Sequence, residues 1–222
     1  MIYTEIVTAL QSLSDDGEIE ILEENEDTLW VYDLTDGKDI VYNKNMNCQK
    51  LLDKIFISTR IPAEYRPHKQ KLAEYLLKHL PHDIFWTLNK IHILWGDEED
   101  YYDMVRLHNV EDENGYVEML MDDDVLGKLW FEYNSVIVNV SAIVQSALEI
   151  EAEDVAMGLT GNAYNDTLEQ IVLTLIHELR HLMMDTNIVL SEDEYPIQDG
   201  SEEAVEEFAR NVVYENGWWV YE

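Results

Sequence analysis

An α+β fold is what this 222-residue chain predicts, from three features. Residues 168–184 are apolar at Leu168, Ile171, Val172, Leu175, Ile176, Leu179, Leu182 and Met183. That is a helical recurrence, broad enough for a mostly buried helix. Residues 135–140 form an unbroken, β-branched run, the clearest strand in the chain. Apolar runs at 28–32 and 40–42 flank Asp36 and Gly37, a strong hairpin signal. The expected architecture is a small, mostly antiparallel sheet packed on the long helix. A helix-plus-hairpin module over residues 1–60 is added ahead of a main domain over 61–222.

The elements follow in order. Ile2, Ile6, Val7, Leu10 and Leu13 mark one face of a helix, and Ser14, Asp15, Asp16 and Gly17 close it with a turn. Ile19 and Ile21 open a strand, the hairpin follows, and 43–48 reads as loop. Residues 51–58 suit helix or strand equally. Pro62 and Pro67 punctuate the expected domain boundary. Leu72, Tyr75, Leu76 and His79 share a helical face within 68–80. Extended pieces at 84–86 and 91–95 come next, then strands at 101–108 and 116–120 paired around Glu113, Asn114 and Gly115. The acidic runs 97–100 and 122–124 lack the spacing of an EF-hand loop and read as solvated loops. Residues 141–148 turn helical and 158–162 form a loop. Asp166 caps the long helix with Glu169 completing a capping box, and Asp185, Thr186 and Asn187 stop it.

Composition narrows the function classes. With 14 basic and 47 acidic residues, the chain carries a formal charge of −33. A nucleic-acid backbone is repelled by such a surface, so direct phosphate binding is not expected. Arg60, Arg66, His68, Lys69 and Lys71 form a modest basic stretch, read as a locally neutralising surface. The acidity suits a basic partner, a cationic substrate or mimicry of phosphate. Cys48 is the sole cysteine, so no intrachain disulfide forms, which fits a reducing compartment. No signal-peptide pattern and no run approaching the roughly 18 apolar residues of a membrane span is visible. The expectation is therefore a cytoplasmic protein without a membrane partner. An apolar content of 46%, with six Trp and thirteen Tyr, is ample for a packed core.

Chemistry concentrates in the long helix, where His177, Glu178, Leu179, Arg180 and His181 spell His-Glu-x-x-His. Histidines four apart project from one helical face about a turn apart, so both imidazoles can hold one Zn²⁺. Glu178 beside them can take a proton from a water on that ion. By composition alone such a match arises in roughly 3 chains in 100. Its place in the middle of an apolar, capped helix makes chance a poorer explanation, because buried ionisable groups need partners.

With a further helix expected at 201–213, this pattern resembles the zincin-like metallopeptidases, in the glutamate-zincin branch typified by thermolysin. The likeness covers roughly 165–213. In that family a downstream helix supplies a Glu ligand, often followed by Ala, with an acidic residue four places on orienting a ligand His. Glu203, Ala204, Val205, Glu206 and Glu207 fit that pattern. The resemblance therefore implies His177, His181 and Glu203 as metal ligands, Glu178 as general base and Glu207 as the orienting acid. The metzincin continuation fails, since Met184 and Asn187 stand where it needs Gly and His. Helical geometry leaves the third ligand open: Glu202 lies nearer the apolar face of Val205, Phe208, Ala209 and Val212 than Glu203 does, Glu206 is intermediate, and Asp185 continues the His177 and His181 face.

The expected activity is zinc-dependent hydrolysis of a peptide bond in a peptide or protein substrate, with basic sequences favoured. Tyr195, Tyr214 and Arg180 are oxyanion-donor candidates by location, though Arg180 points away from the histidines and is expected in a structural ion pair. The 135–140 strand is either the cleft-bordering strand the resemblance implies or an ordinary core strand. Rival readings are a catalytically inactive sensor or regulator of the same fold, a four-ligand structural zinc site, and an acidic decoy for a basic or nucleic-acid-binding partner.

Overall fold

A computed structural model describes residues 10–24, 28–35, 37–43, 46–80, 82–85, 87–110, 112–121, 125–158, 160, 163–185 and 201–216. Residues 10–15 are helical and end in a turn at Gly17, whose φ of 78° suits a residue without a Cβ. The expected hairpin is present, extended to a three-stranded antiparallel meander of β1 (Ile19–Glu24), β2 (Thr28–Asp33) and β3 (Lys38–Asn43). Leu10, Ile19, Leu29, Val31, Ile40 and Tyr42 give it a small core of its own.

Helix α1 (Cys48–Lys54) and strand β4 (Ile55–Ile57) belong to the main core through Leu51 and Ile55. The ambiguous 51–58 segment is thus both elements in succession. Asn47 caps the helix, its side chain accepting the Lys50 N–H at 2.9 Å, and the β-branched Ile55 and Ile57 then favour a strand.

The main sheet has the order β4-β5-β7-β6, from β5 (Lys90–Leu94), β6 (Gly127–Trp130) and β7 (Ser135–Asn139). It corrects the mostly antiparallel expectation. β4 and β5 are parallel, β5 and β7 are parallel, and only β6 runs antiparallel to its neighbour β7. Connections explain this. Helix α2 (Lys69–His79) crosses over between β4 and β5, and α3 (Glu98–Leu107) and α4 (Glu113–Met121) separate β5 from β6. Parallel pairing needs such crossovers, whereas β6 and β7 are joined by a short turn ending at Asn134. The expected strands at 101–108 and 116–120 are α3 and α4, and the extended piece at 84–86 gives way to a 3₁₀ turn at His82–Phe85.

The acidic run 97–100 is structural rather than a solvated loop. Asp97 caps α3 by accepting the Asp100 N–H at 2.9 Å, and Asp100 is fully buried. Its carboxylate accepts from Ser58 Oγ at 2.5 Å and from the Trp95 N–H at 2.6 Å. Arg60 neutralises the cluster, reaching Asp100 at 2.9 Å, Asp103 at 3.0 Å and Glu99 at 2.8 Å.

One face of the sheet places Ile91, Ile93, Leu129, Val136 and Val138 against α2, α5 (Val140–Ala156), α6 (Ala163–Asp185) and α7 (Glu202–Asn216). The other places Leu94, Trp130 and Ile137 against α3 and α4. Helix α6 starts at Ala163, a turn earlier than the expected Asp166 cap, and runs to Asp185; Thr186 and Asn187 of the expected stop lie outside the described residues. Ile171, Val172, Leu175, Ile176, Leu179 and Leu182 are all fully buried on it. At about 2 kcal/mol for each such side chain, this helix is the least movable part of the domain. Among the described residues no helix is long and apolar enough to cross a membrane.

A buried histidine pair sits between the sheet and α3. His92 Nε2 lies 2.9 Å from His108 Nε2, and His108 packs at 5.0 Å on the rings of Trp130 and Tyr133. Burial, then the neighbouring His108 and Lys90, push His92 down to about 3; burial, then Lys90, push His108 down to about 4. Both are depressed below the unfolded value near 6.5, so the folded state binds fewer protons and stability falls as pH drops below about 6.5. His92 contributes up to about 1.4 kcal/mol per pH unit, and His108 less because solvent reaches it. Urea unfolding between pH 7 and pH 4.5 should show a shallower loss in the His92→Leu/His108→Leu double variant than in the parent; equal slopes would refute this assignment.

Candidate metal centre

His177 and His181 lie in the middle of α6 on the face that leaves the core. Their side chains are 19% and 23% exposed, their rings stand edge to face at 4.7 Å, and their Nε2 atoms are 3.0 Å apart. Helix α7 packs alongside through Val205, Ala209, Val212 and Val213, all buried. Its first residue, Glu202, brings Oε2 to 3.2 Å from His177 Nε2 and Oε1 to 3.4 Å from His181 Nε2. These three side chains form one cluster whose ligand atoms lie within 4.8 Å of one another.

The donor set fits a zinc ion. Bonds of about 2.0–2.1 Å at tetrahedral angles place neighbouring ligand atoms about 3.3 Å apart, and the observed spacings bracket that value. Burial, then His177 beside it, pushes His181 below the ordinary histidine range against the opposing pull of Glu202. It is thereby held in the neutral form a metal needs.

The acid that faces the two imidazoles is Glu202 and not Glu203. Helix phase is the reason. At about 100° per residue, Glu202 lies about 35° from the centre of the buried α7 face, and Glu203 about 135° from it. The whole pattern is displaced by one residue. Glu206, not Glu207, approaches His177, with Oε2 at 3.6 Å from Nδ1, and both Glu203 and Glu207 point to solvent. The position after the ligand is then Glu203 rather than the Ala of the thermolysin-like pattern. The Asp185 side chain and Tyr195 lie outside the described residues. Tyr214 is not at the site: its hydroxyl pairs with Glu169, two turns before His177. Arg180 turns inward, is buried, lies 5.0 Å over the Phe208 ring and donates to Met183 Sδ at 3.3 Å.

Glu178 is 8% exposed and wedged between α6 and strand β6. Burial, with the Glu202 charge beside it, pushes its carboxyl up to about 7, while the backbone N–H of Leu129 pulls the other way. The strand comes this close because residue 127 is glycine. A Cβ there would collide with Thr174 Cγ2 and lie 3.1 Å from Glu178 Cγ.

An open groove of about 910 Å³ runs along β6 and past both histidines, Glu178 and Glu202. Met119 and Phe131 give it apolar walls and Glu132 an acidic one. Its bordering strand is β6. The 135–140 candidate, β7, is paired on both sides and buried, so it is the core strand of the two readings. Sequence reasoning missed β6, four residues opening on glycine; its faint signal is the apolar Leu129 and Trp130 before a turn. Comparison with known protein families, with curated proteins and with solved structures returns no match.

Two substitutions test this geometry. Glu202→Ala should weaken zinc binding by more than about 100-fold, beyond what a supporting residue costs, while Glu203→Ala changes it less than about twofold in chelator competition. Gly127→Ala should lose about 1–3 kcal/mol in urea unfolding, because strand and helix must part to admit the methyl group. An unmoved midpoint would show that β6 does not press on α6.

Proposed function

We propose that this chain is a zinc-dependent peptidase of the glutamate-zincin type. The observation that carries the reading is the convergence of His177, His181 and Glu202 on one point, with the Glu178 carboxyl beside it at the floor of an open groove. When bound there, Zn²⁺ would activate a water and polarise the scissile carbonyl, the work of a three-ligand site with an open position. His177 and His181 would hold the ion as neutral imidazoles through one nitrogen each, and Glu202 would supply the third donor, an oxygen. Glu206 stands on the far nitrogen side of His177 and orients that ring. Glu178 takes the proton of the attacking water and returns it to the departing amine.

Substrate recognition follows from the groove. Among the described residues β6 is the last strand of the sheet, so its outer edge, apart from the Leu129 N–H that meets Glu178, is open to an extended peptide through backbone hydrogen bonds. Met119 and Phe131 favour an apolar side chain, and Glu132 favours a basic neighbour. A purely structural zinc is less well supported, because the cluster holds three donors among the described residues and borders the groove.

Wild-type protein should bind one zinc per chain and cleave basic peptides in a mass-spectrometric library assay. Glu178→Gln should keep the zinc and lose about 10²- to 10⁴-fold in cleavage rate. His177→Ala should lose both. Zinc well below one per chain in the wild type, or full cleavage by Glu178→Gln, would overturn the proposal.

A further inference from the structure

A second pocket, of about 280 Å³, lies between the N-terminal sheet and the main domain. Asp39 and Val41 of β3 form one wall; Lys54, Leu88, Glu132 and Asn134 form the others. Glu132 also borders the groove, but none of the metal donors reaches this pocket.

Two of its groups lack what their chemistry asks for. Asn134 is 9% exposed, and its Oδ1 has no hydrogen-bond partner. Its direction is fixed. The residue is left-handed, with φ of 46°, its N–H donates to Phe131 O at 3.2 Å, and its carbonyl accepts the Asn89 N–H at 2.8 Å. An unfilled acceptor this buried costs about 1–3 kcal/mol unless a donor arrives. Lys54 is the second group. Its Nζ donates to Leu88 O at 2.7 Å, which leaves two N–H bonds, and no carboxylate lies within ion-pair range among the described residues. Lys50 and Lys90 add to the positive field, and burial together with them lowers the ammonium to about 8. An arriving anion relieves all three effects.

The lining therefore combines a cation, Lys54, with the acceptors of Asn134, Glu132 and Asp39 and the apolar side chains of Val41 and Leu88. We propose that it binds a free α-amino acid with a short aliphatic side chain, the carboxylate on Lys54, the ammonium on Asn134 Oδ1 and the acidic rim, and the side chain against Val41 and Leu88. A simple carboxylate would satisfy Lys54 but leave Asn134 unpaired and meet two acids; a simple amine would do the reverse. β3 completes the pocket, which gives the N-terminal sheet a binding role.

Isothermal titration of the full chain with L-valine, isovalerate and isobutylamine tests this. Valine should bind one to one, and each analogue, lacking one charge, at least about tenfold more weakly. Lys54→Met and Asn134→Gly, the latter keeping the left-handed turn, should each weaken valine binding at least about tenfold. His181→Ala should leave it unchanged, which separates this pocket from chelation at the metal centre. Because Lys54→Met can disturb α1, the Asn134 side-chain amide resonance of the wild type provides an independent readout and should shift on adding valine. No binding at millimolar valine, isovalerate binding as tightly, loss of binding in His181→Ala, or an unmoved Asn134 amide would each overturn the proposal.

Discussion

The seating of α7 against α6 is the constraint on which the site depends. Both helices are locked by apolar faces, α6 through its fully buried leucines and isoleucines and α7 through Val205, Ala209, Val212 and Val213. Once those faces meet, rotation of α7 is no longer free, and the acid facing the imidazoles is decided by phase alone. Rotating α7 to present Glu203 would turn about 100° of its apolar face to water. Exposing even two of those valines would cost about 3–6 kcal/mol, more than the choice between two chemically identical carboxylates can repay. Packing therefore selects which acid faces the imidazoles.

The same logic places Glu178. A carboxylate buried against a strand is unfavourable by several kcal/mol unless it is hydrogen-bonded or neutralised. Here the Leu129 N–H and the glycine at 127 supply the contact, and a value raised to about 7 shows that burial still wins. A cation between the histidines reverses the balance by putting a positive charge beside the group.

Much of this was legible in the chain. The His-Glu-x-x-His helix, the second helix, the hairpin and the 135–140 strand are each written in local periodicity, and all four stand in the structure. What failed was context. Tyr101, Met104 and Val105 carry helical spacing, but the acidic run before them reads as loop until Asp97 is seen as a cap and Asp100 as a buried anchor for Ser58 and Arg60. Taking α3 and α4 for strands shortened the connections and so suggested antiparallel pairing. Glu203 was favoured over Glu202 by family pattern, although the spacing of Val205, Ala209 and Val212 already pointed to Glu202. Long-range facts had no local trace, among them the edge position of β6, the packing of Leu51 and Ile55 into the main core and the pocket that Lys54 and Asn134 both line.

The net charge of −33 comes from 47 acidic against 14 basic residues, yet it acts locally. At physiological ionic strength, exposed charges more than about 8 Å apart are largely screened. The acids that matter to the groove are then the near ones, Glu132, Glu202 and Glu206. Others have internal work: Asp97 caps a helix, and Asp100, Asp103 and Glu99 share one arginine. A decoy surface would leave its acids outward and unpaired, with no reason to gather two imidazoles and a buried carboxyl at the floor of a groove. The local arrangement, rather than the total charge, is what favours a hydrolytic centre over a phosphate mimic.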